Sequence, residues 1–146
     1  MDYGGHDSEF TYNVVYHGAG DDHDGNDGQN CINTWPFLPG HGAVYKGNKC
    51  VLPRSNNLFG LISGCDCPGS NTVTPWHKPG DKRPQGQCGV AFGGNSYYTH
   101  NGSAHANRCG DFETEWKTKN EPDSTIDVLP ADDQLIAWAK EVLLME

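Results

Sequence analysis

The segment Phe92-Gly93-Gly94-Asn95-Ser96-Tyr97-Tyr98 repeats the pattern of two earlier ones, Phe10-Thr11-Tyr12-Asn13-Val14-Val15-Tyr16 and Tyr45-Lys46-Gly47-Asn48-Lys49-Cys50-Val51. Each places an aromatic, two further residues, an Asn, one spacer and then two apolar or aromatic positions. Repeated strand units that cannot bury a core alone stack on one another. The pattern therefore predicts a coil of strands rather than a compact sandwich. A recurring Asn has a mechanical reason: its amide can satisfy backbone groups at a turn and hydrogen-bond to the Asn of the next unit. Asn13, Asn48 and Asn95 are unevenly spaced, so the strand cores repeat while the loops between them vary. In stacked architectures such loops gather on particular faces, often the binding face.

Outward from these units, 9–17, 43–52 and 88–100 read as strands rich in β-branched and aromatic residues and bounded by Gly, Asp or Pro. Shorter strands are predicted at 31–35 and 58–62. Residues 18–30 form a polar loop, and 36–42 a turn with Pro36, Pro39, Gly40 and Gly42. A long Pro-rich insertion occupies 63–87. The end of the chain differs: after Pro130-Ala131, the acidic pair Asp132-Asp133 suits a helix N-terminus. Leu135, Ile136, Ala139, Val142 and Leu143 then form one helical stripe. A helix at the end of a strand stack would cover the open edge that otherwise recruits other chains. The chain divides into strand coils over 1–126 and a tail with a capping helix over 127–146.

With 19 acidic and 10 basic side chains the net charge is −9. That disfavours nucleic-acid partners, which need clustered Lys and Arg, and it disfavours anionic membrane surfaces and acidic polysaccharides. The basic stretch 77–83 reads as an exposed loop. No apolar run reaches the roughly 18 residues of a membrane span. Six Cys, at positions 31, 50, 65, 67, 88 and 109, stand in Gly-rich surroundings, which suggests disulfides and an oxidising compartment. The sequence does not choose their pairing, except that Cys65 and Cys67 are too close to pair with each other comfortably. Asn101-Gly102-Ser103 is a glycosylation acceptor triplet. Residues 1–6 have neither the basic start nor the apolar stretch of a signal peptide. A disulfide-rich chain without a leader predicts a C-terminal portion of a secreted protein.

The run Val90 to Tyr98, then Asn101-Gly102, Cys109-Gly110, Trp116, Ser124-Thr125 and Pro130 to Ala139, resembles the C-terminal end of right-handed parallel β-helix proteins of the pectin-lyase-like superfamily. The resemblance implies an all-β solenoid of short parallel strands with an Asn-lined turn, a groove along one face and a C-terminal capping helix. It implies a secreted carbohydrate-active protein of the polysaccharide lyase or glycoside hydrolase type. It also admits a non-catalytic structural, adhesive or glycan-binding module, because fold does not choose among these. The partner in each case is a polysaccharide or glycan, and a coil open at its N-terminal side would be able to self-associate.

Candidate chemistry follows from residue type. A lyase needs a base beside a carboxyl group and a cation to stabilise the anion formed. His6, Asp7 and His17 are the catalytic candidates, and Lys46, Arg54 and Trp35 the substrate-binding ones. The acidic run holding Asp21, Asp22, Asp24 and Asp27 offers oxygen ligands that suit calcium. It lacks the closing acidic residue of an EF-hand loop, because Asn33 stands in that place. Zinc is disfavoured: Cys65-x-Cys67 lacks the usual gap, and no His pair follows at ligand spacing.

Overall fold

The computed structural model describes residues 8–16, 30–32, 43–59, 90–106 and 109–144. Each repeated segment breaks in two just before its Asn. Tyr12, Gly47 and Gly94 all take left-handed backbone, with φ of 57°, 67° and 60°. That conformation ends one strand and redirects the chain into the next. The single strands predicted over 9–17, 43–52 and 88–100 are therefore pairs. They are β1 (Ser8–Thr11) and β2 (Val14–Tyr16), β3 (Ala43–Lys46) and β4 (Lys49–Leu52), and β5 (Val90–Gly93) and β6 (Ser96–Thr99).

The first members build one parallel sheet in the order β1-β3-β5. The second members, joined by β7 (Thr125–Val128), build another in the order β2-β4-β6-β7. Phe10, Tyr45 and Phe92 are cross-strand neighbours in the first sheet; Val15, Cys50, Tyr97 and Ile126 are neighbours in the second. These two rows face inward. Phe10 and Tyr45 stack with parallel rings 5.6 Å apart. Phe59 sits 5.3 Å from Phe92 and 5.1 Å from Trp116, ring centre to ring centre, so a contiguous aromatic core fills the space between the sheets. A buried disulfide, Cys31–Cys50, ties residues 30–32 to β4. Cys109 is disulfide-bonded as well.

The expectation of an all-β, right-handed parallel β-helix of the pectin-lyase-like kind does not hold. The described residues form two small parallel sheets of three and four strands together with helical segments, a mixed α/β arrangement without a closed solenoid. A solenoid needs a continuous third side. Here the segments predicted as strands around Ile32 and Leu58 contribute only isolated bridges, Ile32 to Phe59 and Asn57 to His105. The core is completed instead by a π-helical turn, Phe112–Trp116, which runs into α1 (Lys117–Asn120) and buries Phe112 and Trp116. Asp111 caps that turn: the Thr114 N–H donates to Asp111 Oδ1 at 2.9 Å. This bond holds the Asp111 carboxyl below its ordinary range.

The C-terminal helix is present as α2 (Asp132–Val142), but it is not an edge cap. It lies against the outward face of the four-stranded sheet. Trp138 stacks 5.1 Å from Tyr98, and the Lys49 ammonium sits 5.4 Å from the Trp138 ring. Ile136, Val142 and Leu143, members of the predicted apolar stripe, are exposed. No helix among the described residues is long and apolar enough to cross a membrane.

The Asn residues connect the layers. The Asn13 N–H donates to Asn48 Oδ1 at 2.9 Å, the Asn48 N–H to Asn95 Oδ1 at 3.0 Å, and the Asn95 N–H to Ser124 Oγ at 2.9 Å. The amide nitrogens reach back one layer to the repeated aromatics: Asn48 Nδ2 to the Phe10 carbonyl and Asn95 Nδ2 to the Tyr45 carbonyl. These bonds span 29 to 50 positions of sequence, so they are tertiary contacts. Asn95 serves both neighbouring layers while fully buried, whereas Asn13 lies at the open end. Asn95→Ala leaves buried partners unpaired and is expected to cost about 3 kcal/mol, against about 1 kcal/mol or less for Asn13→Ala. Urea unfolding with the disulfides intact measures both, and equal costs would contradict the ladder's role.

Candidate functional site

Among the described residues the carboxyl whose pKa is raised is that of Glu121, at the C-terminal end of α1. Its Oε2 accepts from Ser124 Oγ at 2.6 Å, Tyr97 OH at 3.0 Å and Asn95 Nδ2 at 3.1 Å. Its Oε1 accepts from Trp116 Nε1 at 2.6 Å. Burial raises the Glu121 pKa above the ordinary carboxylate value, and the hydrogen bonds oppose that rise only in part. Burial, reinforced by the charge of Glu121, also pushes the Tyr97 and Tyr45 hydroxyls far upward. A raised carboxyl in a cleft would be a general-acid candidate. Glu121, however, is 0% exposed and surrounded by donors, so no substrate reaches it. It ends the Asn ladder: Ser124 takes the place of a fourth Asn, and Glu121 holds Ser124, Asn95 and the core aromatics in register.

An accessible site lies on the corner where the two sheets meet. Ser124 continues the row Asn13, Asn48, Asn95, so the residues just before these form a second row: Tyr12, Gly47, Gly94 and Asp123. Successive members are one strand spacing apart, about 4.8 Å. Tyr12 is 77% exposed, yet its ring rests on Gly47, where an added Cβ would come within 2.6 Å of Tyr12 Cε1. An added Cβ on Gly94 would lie 4.0 Å from Gly47 N and 3.8 Å from Asp123 Oδ2. The corner is thus a shelf with an aromatic face at one end, a floor of two glycines without side chains, and an exposed carboxylate at the other end. Beside it runs the register row Thr11, Lys46, Gly93, with Lys46 exposed.

Of the substrate-binding candidates, Lys46 therefore borders the shelf. Arg54 is exposed beyond the far end of β4, away from the corner. Trp35, the catalytic candidates His6, Asp7 and His17, and the calcium candidates Asp21, Asp22, Asp24 and Asp27 lie outside the described residues. Among the described residues no three His, Cys, Asp or Glu side chains converge as a metal site would require.

Tyr12, Asp123 and Glu121 were not found by sequence reasoning. One signal for Tyr12 was legible: the residue before the repeated Asn is Gly in two units and Tyr in the third. Non-Gly residues rarely occupy that left-handed position without cause. Asp123 and Glu121 carry no such mark, because the last layer replaces the Asn by Ser and the first strand by a helix. Comparison with protein-family models, with curated proteins and with solved structures finds no match to this chain.

The buried Glu121 makes stability depend on pH. Its folded pKa is raised, so the folded state holds the proton more tightly than the unfolded chain. Its stabilising share is full below the ordinary Glu value of 4.5 and is lost as pH rises through the raised value. Urea midpoints measured upward from pH 4.5 should fall more steeply for the wild type than for Glu121→Gln, which cannot ionise. Parallel curves would show that Glu121 does not titrate in this window.

Proposed function

We propose that the chain is an extracellular glycan-binding module that acts without catalysis, with the corner shelf as its binding face. The observation that carries this reading is Tyr12. A bulky residue is held in left-handed backbone, at a cost of roughly 1 kcal/mol, and presents its ring to solvent over a glycine floor. Such a rigid aromatic loses little side-chain entropy on binding, and its face suits the apolar face of a pyranose ring. The bare backbone at Gly94, beside the Tyr12 ring that covers Gly47, lets an adjoining sugar lie flat, and Asp123 can accept hydrogen bonds from its hydroxyls. Lys46 can donate at the shelf's border.

The net charge of −9 favours neutral glycans over polyanionic ones. The buried disulfide fits an oxidising environment. The carboxyl with the raised pKa is sealed in the core, which favours binding over turnover.

Tyr12→Gly separates the shelf from the fold, because Gly accepts the left-handed backbone without strain. Stability should change by no more than about 1 kcal/mol, while affinity falls about ten-fold, the scale of one lost aromatic contact. The measurement is calorimetric titration with soluble oligomers of β-linked glucan, xylan, mannan and chitin, alongside reducing-end and unsaturated-sugar assays on the parent polymers. Unchanged affinity in Tyr12→Gly, the absence of binding to every probe, or release of sugar by the wild type would each overturn the proposal.

A further inference from the structure

Asn101-Gly102-Ser103 is the only Asn-x-Ser/Thr triplet in the sequence, and neither the ladder nor the shelf uses it. It lies in the turn that follows β6, where the Gly102 N–H donates to the Thr99 carbonyl at 3.4 Å. Asn101 is exposed. Among the described residues its hydrogen bonds converge on the side-chain oxygen: Ser103 Oγ donates to Oδ1 at 2.9 Å and the Ser103 N–H at 3.2 Å, while the Thr99 hydroxyl donates to the Ser103 carbonyl at 2.8 Å. Among the described residues the Asn101 amide nitrogen has no protein partner. The nitrogen that would carry a sugar is therefore an atom that the described residues leave unengaged, and the bonds to the side-chain oxygen that shape the turn survive its substitution.

The Asn101 side chain is also open to solvent. The turn borders the end of β7: an added Cβ on Gly102 would lie 3.3 Å from Val128 Cγ1 and 3.4 Å from Val128 N. β7 is the outer strand of its sheet, and Val128 is 55% exposed. An open strand end with an exposed apolar side chain invites pairing with other chains. A large hydrated group beside it obstructs that approach without entering the core.

We propose that Asn101 carries an N-linked glycan that shields the exposed end of β7. The donor is a lipid-linked oligosaccharyl diphosphate. A bond forms between Asn101 Nδ2 and the anomeric carbon of the sugar. The bond from that carbon to the diphosphate oxygen breaks, the lipid diphosphate leaves with the electron pair, and Nδ2 gives up one proton to a base of the transferase. The inference rests on the extracellular part of the proposed function and not on the shelf.

The experiment secretes the full chain from eukaryotic cells behind a supplied leader, so that it reads Asn101 independently of any glycan binding by the shelf. Treatment with an amide-cleaving N-glycosidase should increase the electrophoretic mobility of the wild type and of Ser103→Thr. It should leave the mobility of Asn101→Gln and Ser103→Ala unchanged. Secretion of all four, with the cysteines blocked to thiol reagents, confirms folding. A secreted wild type whose mobility does not respond, or a response that persists in Asn101→Gln, overturns the assignment.

Discussion

The rest of the structure depends on the row of polar side chains that passes from half-buried Asn13 through buried Asn48 and Asn95 to Ser124 and Glu121. Asn48 and Asn95 each accept a backbone N–H from the layer before and donate to the carbonyl of the preceding layer's aromatic. A one-residue slip of any segment would break both contacts and turn the inward aromatics outward. The ladder thereby fixes three things at once. It sets the register of both sheets, the left-handed turn before each Asn, and the stacking of Phe10, Tyr45 and Phe92 behind it.

How the row ends matters as much as how it repeats. A buried Asn needs partners on both sides, and the last layer has no further Asn to supply them. Ser124 and Glu121 fill that role, with Trp116 and Tyr97 completing the carboxyl's shell. The buried carboxyl costs desolvation, and its raised pKa is the sign of that cost. Its hydrogen bonds join the helical segment to the strands, so the two kinds of structure share one core. At the opposite end the row has no further layer among the described residues, and Phe10 and Tyr16 on the first strands are exposed.

The same geometry creates the shelf. Residues that precede the Asn row share its spacing, so any side chains there stand in a line at strand intervals. Gly47 and Gly94 add no side chain to the interior of that line, so the Tyr12 ring settles on Gly47 and Gly94 stays open before Asp123. The turn requires left-handed backbone; glycine meets it at two layers, and Tyr12 meets it under strain. A structural constraint and a binding surface thus arise from one corner of the chain.

The sequence by itself determined the stacked units, because aromatic-x-x-Asn is a local pattern and each copy pairs with the same positions of the next. It also marked the oxidised cysteines and the position of the C-terminal helix. It did not determine the architecture. The solenoid expectation assumed a third side of continuous strands, and only the tertiary structure shows bridges and a helical turn in that place. It did not determine what α2 covers either, since an apolar stripe announces a buried face without naming its partner, and here Trp138 on Tyr98 makes the contact while part of the stripe stays exposed. Ser124 and Glu121 join the ladder through bonds to Asn95, 29 and 26 positions away, and Asp123 joins the shelf through its approach to Gly94. Such contacts follow from how the layers close on one another, and no local pattern encodes them.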